Sequence, residues 1–164
     1  MNWEAVVITL SDRCYRGEME DIGGPVVEEA LREAGYRIKN RILLSDDKDK
    51  LKSTLIDLVD NEQINLIVTT GGTGFSPRDN APEATLEVAD KLVPGIAEAA
   101  RVYSMSKTPK AMLSRAVSVI RKRTLIINLP GSPRACKEIL EYILPTLEHG
   151  MDILAGIPED EAKG

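Results

Sequence analysis

The chain has 164 residues, 43% of them hydrophobic and 29% charged, and 26 acidic residues against 21 lysines and arginines give a net charge of −5. This length fits one compact domain that needs no disulfide or metal to fold, and the acidic balance argues against a general nucleic-acid binder. Two cysteines and one histidine are too few for a disulfide framework or a zinc site, which favours a reduced, cytoplasmic protein.

Strand and helix patterns alternate in the first half of the chain. A continuous apolar, β-branched run over 5–10 predicts a strand buried on both faces, and further strands are predicted over 37–44 and 64–70. Pro25 predicts the first turn of a helix that stops at Gly35, and Asp46 is predicted to be the N-cap of a second helix.

The second half continues the alternation. A helix is predicted from Pro82, with Leu86, Ala89 and Leu92 facing inward and Pro94-Gly95 ending it. Another helix is predicted over 96–105, and two short strands over 118–121 and 124–129.

The C-terminal region predicts one more helix. Ser132-Pro133 is typical of a helix start, and Pro145 is predicted to break or kink the helix, with a terminal helix continuing to residue 154. We expect residues 1–164 to form a single domain in which 155–164 are a frayed tail.

This order of elements predicts a three-layer αβα sandwich with a mostly parallel central sheet. Such sheets bind ligands beyond the carboxyl ends of their strands. Small and polar residues follow the predicted strands at four places, in segments 11–13, 44–47, 69–74 and 128–133.

The glycine-rich loop after residue 70 has the strongest chemical signal. Its sequence TTGGTGFS can turn several backbone N–H groups toward one point and so form an anion-binding nest. It is neither a Walker A loop, because no Gly-Lys-Ser/Thr follows, nor a GxGxxG loop, because Pro77 stands where the third glycine belongs. An ordinary tight turn between strand and helix is the alternative interpretation.

Two acidic residues follow different strands and could meet at the same edge of the sheet. Asp46 and Asp79 can each be explained as a helix-capping acid, and Glu83 as an acid in a first helical turn. Two carboxylates that face a phosphate nest are explained better by a Mg²⁺ ion between them and the phosphate oxygens. This combination predicts phosphoryl or nucleotidyl transfer.

Basic and sulfur-containing residues complete the sequence-based predictions. Cationic candidates for an anionic substrate are Arg78, Lys107, Lys110 and Arg115. The run 121–123 is interpreted as a solvated turn, and His149 as a surface or packing residue. Buried positions are predicted for Cys14, Cys136, Met105, Met112 and Met151.

Four segments resemble the molybdenum-cofactor biosynthesis family, and most of all its adenylyltransferases. They are SDR near the start, TTGGTGFSPRDNAPEAT, LSRA and INLPGSP, and the resemblance covers about residues 5 to 155. It implies a molybdopterin-binding fold, a homotrimer, and Mg²⁺-dependent transfer of AMP from ATP to the terminal phosphate of molybdopterin, with release of pyrophosphate. It also implies a molybdenum insertase as the downstream partner.

The resemblance also implies roles by position. Asp46 and Asp79 would be catalytic and hold the metal, although Ser45 and Asp47 flank Asp46 where the family has Pro-Asp-Glu. The implied substrate-binding residues are Ser11, Asp12, Thr70, Gly71, Gly72, Thr73, Gly74, Ser76, Arg78, Glu83, Ser114, Arg115, Pro130, Gly131 and Ser132.

Two other functions are compatible with these patterns. One is a paralogue of the same fold that binds molybdopterin or its precursor with little catalysis. The other is a nucleotide-binding regulatory module, in which the acids serve only as helix caps.

Overall fold

The structure is a computed structural model that describes residues 2–162. Its elements, in chain order, are β1 Glu4–Leu10, α1 Asp12–Tyr15, α2 Gly23–Glu33, β2 Arg37–Leu44, α3 Lys48–Asp60, β3 Leu66–Thr70, α4 Ala81–Glu87, β4 Lys91–Leu92, α5 Pro94–Met105, a 3-10 turn Pro109–Leu113, β5 Ser118–Arg121, β6 Thr124–Leu129 and α6 Pro133–Leu154.

The six strands form one sheet in the order β2-β1-β3-β6-β5-β4. The first four strands of this order run parallel to one another, while β5 pairs antiparallel with both β6 and β4. Helices cover both faces, which confirms the predicted three-layer α/β architecture and its mostly parallel sheet.

Alternate residues of the central strands enter two separate cores, one on each face of the sheet. In β1, Val7 packs with α2 and α6, whereas Val6 and Ile8 pack with α3. Burial on both faces explains why the central strands are continuous apolar runs rather than alternating ones. No helix within residues 2–162 is both long and apolar enough to span a membrane.

Two predicted helix boundaries are wrong. Asp47, not Asp46, caps α3, because its side chain accepts a hydrogen bond from the Lys50 N–H and the helix begins one residue later than expected. Pro94 begins α5 instead of ending the preceding helix, since proline at a first helical position loses no hydrogen bond.

The inward face predicted after Pro82 is only partly right: Ala89 packs against the core, but Leu86 and Leu92 are exposed. Leu86 is 42% exposed on α4, which ends at Glu87, and Leu92 is 64% exposed. Leu92 does not lie in a helix but in β4, and it pairs with Val119 at the edge of the sheet.

The predicted break at Pro145 does not occur, because α6 runs as one helix of 22 residues through that proline. Buried residues before and after Pro145, among them Leu144, Leu147 and Met151, continue one apolar stripe along the helix. Packing of this stripe on the sheet outweighs the hydrogen bond that proline cannot donate. No separate terminal helix forms.

The remaining predictions have mixed outcomes. Cys14, Cys136 and Met151 are buried as predicted, whereas Met105 and Met112 are exposed. His149 is half-buried. Residues 155–162 contain no helix or strand, and residues 163 and 164 of the predicted tail lie outside the described part of the chain.

The basic run 121–123 is only partly a solvated turn. The Arg121 guanidinium donates two hydrogen bonds to the Asp60 carboxylate, at 3.1 and 2.9 Å. This bond joins β5 to the end of α3, so Arg121 has a structural partner that its sequence neighbours did not indicate.

A buried hydrogen-bond network joins the central strands to α4. The Asn128 side-chain amide donates to the hydroxyls of Thr69 and Thr85 at 3.0 Å each. Its oxygen accepts from the Val117 N–H at 3.2 Å. Because Asn128, Thr69 and Thr85 are all at most 3% exposed, this network joins α4 to the sheet through buried hydrogen bonds.

We expect Asn128→Ala to lower the free energy of unfolding by about 2–3 kcal/mol, because it leaves buried partners without a hydrogen bond. Urea denaturation measures this loss. Asn40→Ala is the matched control: Asn40 is exposed and bonds only its neighbour's N–H, so a change within about 0.5 kcal/mol is expected. Equal losses in both variants would contradict the network.

Candidate functional site

The ends of the parallel strands meet at one edge of the sheet. Leu10 is paired in register with Leu44, and Thr70 lies between Thr9 and Leu129. The four polar segments that follow these strands therefore converge, as their positions in the sequence predict.

The glycine loop turns sharply where β3 ends. Gly71 and Gly72 have φ values of +97° and +71°, which residues with side chains rarely adopt. A Cβ atom at Gly71 would collide with the backbone carbonyl oxygen of Leu10. The Gly71 N–H donates to the Leu129 carbonyl at 3.1 Å, so the loop begins between the ends of β1 and β6.

The loop presents free donors. Among the described residues, the N–H groups of 72–75 have no hydrogen-bond acceptor. The carbonyls of Gly72, Thr73 and Gly74 are all engaged, accepting from the Ala81 N–H, the Arg115 N–H and the Arg115 guanidinium. These are the features of an anion nest: the carbonyls accept hydrogen bonds within the protein, and the N–H groups are free.

Asp46 is held beside this loop by reciprocal bonds with Asp12. The Asp12 N–H donates to the Asp46 carboxylate at 3.0 Å, and the Asp46 N–H donates to the Asp12 carboxylate at 2.9 Å. Burial, together with the negative charges of Asp12 and Asp79, raises the pKa of Asp46. A nearby cation would relieve that repulsion.

Arg78 joins the segment after the loop to the end of β1. Its guanidinium donates to both carboxylate oxygens of Asp12, at 3.0 and 2.9 Å. This fork lowers the pKa of Asp12 to about 2, with a further contribution from the Asp46 N–H. Asp12 is therefore bonded to both Arg78 and Asp46 and holds the two side chains together.

Arg115 is an anchor for the loop. All three guanidinium nitrogens donate within the protein: to the Gly74 carbonyl at 2.8 Å, the Asp79 carbonyl at 2.6 Å and Glu83 at 2.7 Å. Asp79 in turn accepts from the Ser76 N–H at 3.0 Å. The other oxygen of Glu83 is buried without a partner among the described residues.

A cavity of about 340 Å³ adjoins the nest. Five of the predicted substrate-binding residues line it: Thr73, Gly74, Ser114, Pro130 and Ser132. Lys110 and Arg101 are its cationic side chains, and Arg101 donates to the Ala116 carbonyl at 2.8 Å. The N-terminus of α6 also faces this region, with Ser132 as its N-cap.

Sequence reasoning missed Arg101. The available signal was a stripe of small residues at helical spacing, Ala97, Ala100 and Ser104, on the same face of α5 as this arginine. Small side chains on one helix face leave space for a cavity.

Two predicted substrate-binding side chains have partners inside the protein. The Ser11 hydroxyl caps α1 by accepting from the Cys14 N–H. The Thr70 hydroxyl, on a residue only 2% exposed, donates to the Pro130 carbonyl at 2.8 Å. Both side chains therefore shape the site, and Lys107 lies over the Tyr103 ring instead of in the cavity.

The carboxylates fit a magnesium ion. Within residues 2–162 no cluster of three or more His, Cys, Asp or Glu side chains is arranged to hold a metal. Magnesium needs only one or two carboxylates when substrate phosphates and water complete its shell. Asp46 and Asp79 flank the nest, and their charges repel each other. This donor set suits a metal that arrives with a phosphate ligand.

Comparison with known proteins identifies relatives along nearly the whole chain. Residues 6–149 match the family model described as "Probable molybdopterin binding domain". Molybdopterin adenylyltransferase of Escherichia coli K12 is 44% identical over 140 residues, covering 84% of this chain and 71% of the relative. Its namesake in Helicobacter pylori J99 is 39% identical over 154 residues, covering 92% and 86%.

A solved structure has the same fold. The molybdopterin biosynthesis enzyme MoaB from Thermus thermophilus superposes with a TM-score of 0.89 at 42% sequence identity, covering 95% of this chain and 98% of that one. Proteins named for molybdopterin biosynthesis therefore share this fold and a large part of this sequence.

The approach of Gly71 to the Leu10 carbonyl can be isolated by comparing two glycines. Gly35 has φ +99° but open space around it, so Gly35→Ala is expected to cost about 1–2 kcal/mol of unfolding free energy. Gly71→Ala meets the Leu10 backbone as well and should cost more than about 4 kcal/mol. Urea denaturation of both variants checks this, and equal losses would contradict the close approach.

The Arg78 fork makes a prediction about pH. Because removing the cation disfavours the ionised carboxylate, Arg78→Gln should raise the pKa of Asp12 from about 2 towards its ordinary value near 4. The stabilisation from ionised Asp12 is present above pH 4 and is lost as the pH falls towards 2. Titration of the aspartate carboxyl ¹³C signals measures the shift. Arg134→Gln, which removes an exposed arginine from α6, should leave Asp12 unchanged.

Proposed function

This chain belongs to the molybdopterin-binding domain family, and we propose that it is a molybdopterin adenylyltransferase of molybdenum cofactor biosynthesis. In this reaction an oxygen of the terminal phosphate of molybdopterin bonds to the α-phosphorus of ATP. The bond from that phosphorus to the bridging oxygen breaks, and pyrophosphate leaves with the bonding electrons. The proposal takes residues 1–164 as one functional unit.

The observation that supports it best is the combination of free amides and carboxylates at one edge of the sheet. The N–H groups of 72–75 are donors without acceptors among the described residues, and Asp46 and Asp79 flank them. An anion nest alone would bind any phosphate. The two acids suit an anion that carries a divalent cation.

The protein mainly has to position the reactants. The phosphate nucleophile is already ionised, so the reaction requires no strong general base. Rate acceleration then depends on holding the two phosphates in line and stabilising charge on the transferring group. The nest supplies fixed N–H dipoles for this, and the bonds from Arg115 to Gly74 and Asp79 hold those dipoles in place.

Asp46 and Asp79 would hold Mg²⁺. When bound, the ion neutralises charge on the phosphates of the nucleotide. Asp12 keeps Asp46 in position through its two reciprocal bonds, and the Ser76 N–H does the same for Asp79. Asp12 and Ser76 are therefore positioning residues in this proposal.

We assign the 340 Å³ cavity to molybdopterin and the nest to the phosphates. The cavity is lined by small and apolar residues with Arg101 and Lys110 as its cationic side chains, which suits a ring system that carries a phosphate. Glu83 is not among the residues that line this cavity, and it acts on the site through its bond with Arg115.

The cellular setting follows the family resemblance. We propose a cytoplasmic homotrimer that passes its product to a molybdenum insertase. Exposed apolar residues on α5 and the following turn, Val102, Met105, Met112 and Leu113, are candidates for contacts between subunits.

Release of pyrophosphate tests the reaction. With MgATP and molybdopterin, Asp46→Asn and Asp79→Asn should each lower the turnover number by on the order of 10²–10³, because each change removes a stabilising group from the reacting phosphates. Asp49→Asn, which changes an exposed acid in the first turn of α3, is the matched control and should retain turnover. Circular dichroism verifies folding.

Two results would overturn the proposal. Near-normal adenylylation by both Asp46→Asn and Asp79→Asn would show that the two carboxylates are not needed for the reaction. ATP binding by the wild type, without pyrophosphate release that depends on molybdopterin, would indicate the regulatory module instead.

A further inference from the structure

A second, larger cavity lies at the opposite end of the sheet from the strand-end site. It is a groove of about 590 Å³ between α2 and α6, and it shares no lining residue with the 340 Å³ cavity. Trp3 and Tyr36, which immediately precede β1 and β2, lie in its wall. The groove is therefore at the amino ends of the strands, where the proposed reaction has no use for it.

The wall of the groove contains polar groups that lack partners. Tyr36 is only 8% exposed, and among residues 2–162 its hydroxyl has no hydrogen bond. The indole N–H of Trp3 has none there either. Burial and the charge of Glu148 raise the pKa of Tyr36 to about 12, so its hydroxyl remains a donor. Neither polar atom belongs to the buried side-chain atoms without a partner, so both open onto the groove, where water or a bound partner can reach them.

The rim of the groove is acidic. Glu29, Glu33 and Glu141 line it, and none of them forms an ion pair with another described residue. The neighbouring Glu28, which is not in the lining, pairs with Arg32 at 2.8 Å and with Arg41 at 3.1 Å. Lys137 also lines the groove, so three unpaired acids stand against one lysine, and the resulting negative charge complements a cationic partner.

The dimensions of the groove match a helix. Its lining residues on α2 and its C-cap Ala34 extend over 26–34, and those on α6 over 137–148, which correspond to about 12 and 16 Å along the helix axes. Leu140 and Leu144 form an apolar floor between these walls. A length of about 16 Å is about three helical turns, so an added helix could lie between α2 and α6.

We propose that this groove docks a basic amphipathic helix of a partner protein. The apolar stripe of that helix packs on Leu140 and Leu144, and its lysines or arginines reach Glu29, Glu33 and Glu141. This is the helix-in-groove mode of recognition, with charge at the rim selecting the partner. It is independent of the proposed adenylyl transfer.

The only tryptophan of the chain reports on this groove. The probe is a capped peptide of about 16 residues without tryptophan, with leucines at positions i, i+3, i+4 and i+7 and lysines elsewhere. We expect a saturable change in Trp3 emission and a rise in helical circular dichroism. The triple variant Glu29→Gln, Glu33→Gln, Glu141→Gln should bind at least about tenfold more weakly.

Two controls separate the groove from general acidity. The triple variant Glu20→Gln, Glu98→Gln, Glu159→Gln has the same net charge and changes exposed acids elsewhere, so it should bind like the wild type. Ala34→Phe, which fills the mouth of the groove from an exposed position, should abolish binding while pyrophosphate release is unchanged.

Four results would overturn the proposal. Equal weakening in both triple variants would mean unspecific attraction to an acidic surface, and no emission change with the peptide would mean no site. Full competition by spermidine would indicate a site for a small organic cation. A lower sedimentation mass of Ala34→Phe would show that a second copy of the chain covers the groove.

Discussion

The close approach of Gly71 to the Leu10 carbonyl is the constraint on which the rest of the site depends. No side chain can stand between β3 and β1 at this point, so the chain turns immediately and with positive φ. That turn directs the carbonyls of Gly72, Thr73 and Gly74 toward protein donors and leaves the intervening amides free. A residue with a side chain would separate the strands and redirect these dipoles.

A protein with a negative net charge can hold a substrate with several phosphates because its arginines position the loop amides that face the phosphates. Arg78 and Arg115, which a simple reading would assign to phosphate, bind Asp12, Glu83 and backbone carbonyls instead. The loop amides present partial positive charge without a mobile side chain, so no side-chain entropy is lost when an anion binds. The negative net charge and an anion site are therefore compatible.

Most of the fold could be predicted from the sequence, because β-branched runs and helical periodicity are local patterns. The sequence could not predict which of two adjacent acids caps α3, because Asp46 and Asp47 are equally suited. The contact of Asp46 with Asp12, 34 residues away, decides between them. The same holds for Arg115, whose partners are 32 to 41 residues distant. Strand-end positions predicted which residues would meet, but not which donors the protein itself would satisfy.

The continuity of α6 has a mechanical consequence. This helix of 22 residues is about 33 Å long. Its N-cap, Ser132, lines the cavity beside the glycine loop, and Leu140 and Leu144 form the floor of the groove between α2 and α6. A broken helix would let its two halves move separately. Because the helix is unbroken, Ser132 and the groove residues Leu140 and Leu144 belong to one rigid element, and helix geometry fixes the distance between them.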